Sequence, residues 1–319
     1  MFNAVRAVLV AVVCSAISSQ AFGQEYPNKT VRIIVPSSAG TLTDLVPRAI
    51  TAEMSKILGQ PVVIENRTGA SGLIATEYVA KQVPSDGYTV LSANVVDLAI
   101  MPLVTKDLRF NAQTDLAAVI DIAEGYVVLV SSSKFPWKNF AEWVAYAKAN
   151  PGKVNYGASI PTIRLPIVQL SQILGLDLFY VPYGAGGPYT QAILAGDVMG
   201  FLSELPILAN LDKLVTIAVP ASKRLPSLPN VPTFAELGYP NVGSTNVFAL
   251  TVPTGTSGVV IERLNAAASK AMQTAEVRQH FDKIKAYPVG GTPQSSAKRL
   301  ADLSNAYAEA ARKAGIRPE

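Results

Sequence analysis

TVRIIVPSSAGTLTD, residues Thr30 to Asp44, joins a short β-branched run to a loop of small residues and then to a helical pattern. Val31, Ile33 and Val35 alternate with Arg32 and Ile34 as in a strand buried on at least one face, and Val46, Ile50 and Ile57 recur at helical spacing. The reading is strand, loop, helix. In a parallel α/β sheet such a loop lies at the carboxyl ends of the strands, where small ligands bind, and the helix start offers unpaired backbone N–H groups to an anion. Asp44 or Thr43 is a candidate cap. Pro47 predicts a helix start near Thr43 or Asp44, because proline fits best where its missing N–H has no partner within the helix. An ordinary strand-to-helix turn without a ligand is the alternative.

Residues 1–23 of the 319 read as a secretory signal peptide. Arg6 is followed by the apolar run Ala7 to Val13, and Ala21-Phe22-Gly23 has small residues at the cleavage position. The expectation is a periplasmic protein whose mature chain begins at Gln24. The single cysteine, Cys14, lies inside the signal without a lipoprotein cleavage box, so disulfides, zinc-cysteine sites and thiol nucleophiles are excluded from the mature chain. The formal net charge is only +4, with no Lys/Arg cluster interleaved with aromatics, which argues against nucleic acid. After the signal no apolar run reaches the roughly 20 residues of a membrane span.

Strand and helix patterns then alternate, the mark of βαβ units and a parallel sheet. Strands are predicted at Val62 to Glu65, Tyr88 to Ser92, Leu116 to Ile122 and Tyr126 to Ser131, and a helix at Leu73 to Gln82. A second series follows: helix Asn139 to Ala149, strand Val154 to Tyr156, helix Arg164 to Leu174, strand Leu178 to Val181, helix Tyr189 to Ala195, and strands Val198 to Ser203 and Leu214 to Ala218. Val247 to Val252 is strand-like, and the tail from Ser257 is mostly helix, punctuated by Pro288 and Pro293. Such a tail packs back on the first sheet. The expected division is therefore one lobe of residues 24–124 and 245–319, a second lobe of 125–244, and two crossings, near Glu124 and Ser244, forming a hinge around a cleft.

Seven segments carry a family resemblance. They are Tyr26 to Asp44, LGQPVVIENRTGASG (Leu58 to Gly72), VPSDGYT (Val83 to Thr89), NPGKVNYGAS (Asn150 to Ser159), VPYGAGGP (Val181 to Pro188), LPSLPNVPTFAELG (Leu225 to Gly238) and AGIRPE (Ala314 to Glu319). In order and spacing the mature chain resembles the periplasmic solute receptors of the tripartite tricarboxylate transporter system, the Bug family. The resemblance implies a type II periplasmic binding protein fold, with two α/β lobes, a small carboxylate-containing organic solute in the cleft, no cofactor, and a membrane permease as partner for a monomeric receptor. It also implies that backbone amides of the loop after the first strand hold one carboxylate. Pro36, Ser37, Ser38, Ala39, Gly40, Thr41, Thr43 and Asp44 fill that loop here, with Ser37 in place of the usual aromatic and Thr41 in place of a second glycine.

The same architecture nominates further ligand contacts. Ser92 and Asn94 end a first-lobe strand, with turn capping as the alternative. Gly157, Ala158 and Ser159, then Tyr183, Gly184 and Ala185, form second-lobe strand-to-helix loops; Gly184 stands where the family often has a lysine. Arg164 is a candidate for a second carboxylate, against the commoner fate of an exposed arginine. Glu204 either takes a ligand hydroxyl or ammonium or caps a helix begun by Pro206. For an enzyme the chemistry is missing: no G-x-S-x-G elbow, no metal motif and no nucleotide loop occurs, and the only histidine, His280, sits in a polar tail helix. A secreted enzyme on the same scaffold and a sensory receptor docking on a membrane signalling partner are the alternatives to transport.

Overall fold

The computed structural model describes residues 26–318 except 159–160, 184–186, 204–207, 241 and 243–244. The signal peptide, Ser159, Gly184, Ala185, Glu204 and the crossing near Ser244 therefore lie outside the described residues.

The chain opens with β1 (Val31–Val35), α1 (Leu42–Leu58), β2 (Val62–Asn66), α2 (Leu73–Lys81) and β3 (Thr89–Asn94), whose strands pair in parallel through the two helical crossovers. Next come α3 (Val95–Val104), the single turn α4 (Ala112–Asp115) and β4 (Leu116–Gly125). The second lobe is β5 (Val127–Ser132), α5 (Phe140–Ala149), β6 (Val154–Ala158), α6 (Pro161–Leu174), β7 (Leu178–Pro182), α7 (Gly187–Ala195), β8 (Gly200–Ser203) and β9 (Leu214–Ala218). The chain then returns as β10 (Asn246–Pro253), α8 (Gly258–Gln273), α9 (Ala275–Ile284), β11 (Ala286–Gly290) and α10 (Pro293–Ala314).

The result is a bilobed α/β molecule. One sheet has the order β11-β4-β10-β3-β1-β2; the other comprises β8-β5-β9 and the parallel pair β6-β7, linked by a bridge from Tyr156 to Met199. Neither lobe is purely parallel, as the alternation suggested: β10 runs antiparallel between β3 and β4, and β5 antiparallel between β8 and β9. In the first lobe, α1, α8 and α9 cover one face around Ile50, Phe248 and Phe281, while α2 and α3 cover the other around Leu91, Leu98 and Met101. In the second, α5 and α6 cover one face around Trp143, Tyr156 and Leu170, and α7 covers the opposite face with Tyr189 and Ile193.

Three differences from the sequence reading have physical causes. Helix α1 begins at Leu42, with Thr41 as the extended N-cap, so Pro47 sits buried inside the helix rather than in its first turn. Burial of the apolar face there outweighs the bond that proline deletes. Helix α3 escapes periodicity because VVDLAIMPLV is apolar nearly all round: it lies between the sheet and α10. Strand β11 was read as a break at Pro288, yet it pairs with β4 at the edge of the sheet, where one missing donor is tolerated.

The lobes touch through α6. Leu165 is 1% exposed and packs among Val96, Ala99 and Ile100 of α3 and Tyr307 and Ala311 of α10. This sets the helix that follows β6 against the helix that follows β3, so the carboxyl ends of two strands, one per lobe, meet at the interface. Leu165→Ala should cost about 2 to 5 kcal/mol of stability in urea denaturation, and the volume-conserving Leu165→Met less than about 1.5. A loss below about 1 kcal/mol for the alanine variant would mean that the lobes part in solution and Leu165 is already wet there.

Candidate functional site

The loop between β1 and α1 is exposed from Ser38 to Thr41, and its shape is fixed from below by a buried carboxylate. Asp44, 1% exposed, accepts from the Gly40 amide (2.9 Å) and Arg48 Nε (2.8 Å) through Oδ2, and from Asn66 Nδ2 (2.8 Å) through Oδ1. Asn66 Nδ2 also donates to the Ser37 carbonyl (2.9 Å), and its Oδ1 accepts from Arg48 Nη2 (2.8 Å). Burial on its own would raise the Asp44 pKa; the hydrogen bonds from Arg48, Gly40 and Asn66 and the Arg48 charge outweigh it and hold the carboxyl below the ordinary aspartate value. Asp44 is thus an anchor of the loop, and the Gly40 amide is turned inward, away from any ligand. Gly40 itself adopts φ +84°, a conformation that favours glycine.

Above this anchor the helix start is open. The Thr41 hydroxyl bonds to the Ser38 carbonyl (2.9 Å) and Ser37 Oγ (2.7 Å) and gives α1 no side-chain cap. The Leu42 and Thr43 amides, as the first two of the helix, have no intrahelical carbonyl to donate to and stand at the positive end of its dipole. Leu42 also ties this turn to the crossing between lobes, since a Cβ on Gly125 would lie 2.6 Å from Leu42 Cδ2 and 3.4 Å from Phe248. The amino-terminal end of α1 therefore lies against the carboxyl end of β4.

A neighbouring loop abuts this one. Ala70 (φ +46°) and Ser71 (φ +53°) are left-handed non-glycine residues between Gly69 and Gly72, and a Cβ on Gly72 would lie 3.1 Å from Pro36. Sequence reasoning passed over Asn66, Arg48 and this strained turn as site components, although the motif ENRTGASG marked the place.

The other nominated residues are differently placed. Ser92 is fully buried in β3. Asn94 caps α3, accepting from the Val96 amide (3.1 Å), and donates to Asn246 Oδ1 (3.0 Å) beside the second crossing, which is the capping alternative plus a tie between strands. Gly157 is enclosed: its amide donates to Met199, its carbonyl accepts from Tyr189 Oη (3.1 Å), and an added Cβ would crowd Val198, Tyr189 and Tyr183. Ala158 is buried and accepts from the Tyr183 amide (3.2 Å). Arg164 lays its guanidinium 4.2 Å over the Tyr180 ring; its buried Nε has no hydrogen-bond partner among the described residues, while the guanidinium hydrogen-bonds with the Tyr156 hydroxyl. Burial raises the pKa of the adjacent Tyr156 hydroxyl, an effect that Arg164 partly opposes. His280 is exposed on α9, and no cluster of potential metal ligands occurs among the described residues.

Against known families, residues 46–316 match the model described as the tripartite tricarboxylate transporter family receptor. The chain belongs to that family. BugT of Bordetella pertussis is 30% identical over 312 residues, 96% of this chain and 95% of its own. Among solved structures, R. palustris Rpa4515 with adipate superposes with a TM-score of 0.80 at 30% identity, covering 92% of this chain and 100% of the other. MatC from Rhodopseudomonas palustris with bound malate gives 0.76 at 28% identity, covering 90% and 100%. As a tripartite tricarboxylate receptor the chain has the bilobed periplasmic binding protein fold and is a binding protein, not an enzyme.

The Asp44 network makes the receptor's first loop sensitive to acid. A depressed folded-state pKa contributes stability above the ordinary aspartate value and loses it as pH falls through that value and below, so the effect should appear from about pH 4 downward. Asp44→Asn sets an amide donor against one of three donors and should cost about 1 to 3 kcal/mol at neutral pH. Its melting temperature should also fall less steeply than the wild type's between about pH 4 and pH 3. Parallel melting curves across that range check both.

Proposed function

We propose that this receptor captures a small dicarboxylate in the cleft between its lobes and delivers it to the permease of a tripartite tricarboxylate-type transporter. The observation that carries this reading is the uncapped start of α1 at the lobe crossing, where two backbone amides and a helix dipole converge on an exposed loop. Ser37, Ser38, Ala39 and Thr41 form the rim of that anion site, and Thr43 supplies one of the amides. Tyr183, which directly follows β7, faces the ligand from the second lobe.

Arg164 takes the far carboxylate. Its Nε lacks a partner among the described residues at a cost of about 1 to 3 kcal/mol, and a carboxylate that turned the guanidinium from Tyr156 toward the cleft would relieve it. Stacking on Tyr180 holds the guanidinium plane in place for a bidentate contact. The adipate and malate carried by the two R. palustris proteins are both diacids, which supports the same class here. The moving units are residues 24–124 with 245–319, and 125–244. The N-terminal signal directs the chain to the periplasm, with Gln24 as its first mature residue.

Two experiments test the ends of the site separately. Leu42→Pro deletes one helix-start amide at the position where proline is best tolerated, and the extended Thr41 (ψ 160°) suits a following proline. Leu42→Ala removes the same side chain but keeps the amide. By calorimetry with adipate and malate, the proline variant should bind about 10- to 100-fold more weakly than the alanine variant; equal affinities would remove the α1 start from the site. Arg164→Ala should weaken the same diacids by roughly one to two orders of magnitude and leave a matched monocarboxylate nearly unchanged. Equal losses for mono- and diacid would assign Arg164 to the packing of Tyr180 instead.

A further inference from the structure

The first lobe has a cavity of about 160 Å³, open to the surface, under the first turns of α10, on the face of the sheet opposite α1. Val95, Leu98, Leu116 and Leu300 form its walls, and none of the residues lining it is charged. Exposed Gln113 and Ala297 mark its mouth, with half-buried Ala301 beside them.

Two hydroxyls line this apolar space without partners among the described residues. Thr251, on β10, is 5% exposed and Ser296, on α10, is 3% exposed, and neither Oγ1 of the one nor Oγ of the other has a hydrogen bond there. Three helical serines return their proton to the preceding turn: Ser55 to the Thr51 carbonyl, Ser171 to Val168 and Ser304 to Leu300. Ser296 does not. A buried hydroxyl left unbonded is unfavourable, and two of them in one cavity favour an occupant that brings its own polar group.

We propose that this cavity is a second binding site, distinct from the cleft, for a small uncharged compound with a compact hydrocarbon body and a single hydroxyl, of the phenol or cyclohexanol class. The volume is close to that of an apolar cavity known to take benzene, about 150 Å³. The guest hydroxyl donates to or accepts from Thr251 and Ser296, and its ring lies against the four walls. The absence of a lining charge excludes carboxylates, so the site selects against the class of molecule that the cleft captures.

The test uses the full chain with phenol and toluene as probes. Methyl NMR of the wild type should show saturable, one-to-one phenol binding, with the shifts centred on Val95, Leu98 and Leu300. Ala301→Leu fills the mouth and should weaken both probes by about tenfold or more, while Thr251→Val combined with Ser296→Ala should move the phenol-to-toluene affinity ratio about tenfold toward toluene. Near-UV circular dichroism checks that each variant is folded. No saturable phenol binding in the wild type would overturn the proposal without recourse to any variant. So would shifts centred on the α1 loop, or an unchanged probe ratio in a folded double variant.

Discussion

The carboxylate of Asp44 is the point on which the turn from β1 into α1 depends. It has only acceptor sites, and three donors from three separate segments converge on it: the Gly40 amide from the loop, Arg48 from the next turn of α1, and Asn66 from the end of β2. Because these partners are internal, the loop reaches its shape before any ligand arrives. The exposed part of the loop then needs no charged side chain of its own. What lies at the surface is backbone and small side chains, with the Thr41 hydroxyl tied to the Ser38 carbonyl and to Ser37 Oγ. A loop held in this way has little conformational freedom left to lose.

Much of the architecture was legible in the sequence because strands and helices have different periods. VRIIV reads as a strand in isolation, and Asn139 announces α5 by its side-chain oxygen, which accepts from the Glu142 amide (3.0 Å). Legibility fails where burial is uniform or backbone chemistry is atypical. Helix α3 has no polar face because it is covered on both sides, and Pro288 disguises an edge strand. The site divides along similar lines. Its loops could be located by small residues after strands, but the inward turn of the Gly40 amide depends on Asn66 and Arg48, 26 and 8 residues further along the chain. No local pattern records that pairing. The double use of Asn94, as helix cap and as partner of Asn246, is equally invisible from one segment.

The two lobes also differ in how they fix their glycines. Gly157 and Gly200 both lie close to the Tyr189 ring: a Cβ on Gly157 would lie 3.0 Å from Tyr189 Cε2, and one on Gly200 2.0 Å from the Tyr189 hydroxyl. That aromatic side chain replaces what two ordinary side chains would have filled. It holds the carboxyl end of β6 against β8 and so steadies the base from which the second-lobe loops emerge.

The position of β10 carries a consequence for biogenesis. This strand lies between β3 and β4, yet it is made after the whole of the second lobe. Until residue 253 is available, β4 has no neighbour and β3 presents an open edge, so the first sheet cannot close before β10 arrives. The second lobe, continuous from β5 to β9, has all its own strands more than thirty residues earlier. The order of completion is therefore inverted relative to the order of synthesis: the lobe begun first is finished last, and its hydrophobic sheet edge is the surface most in need of protection along the way.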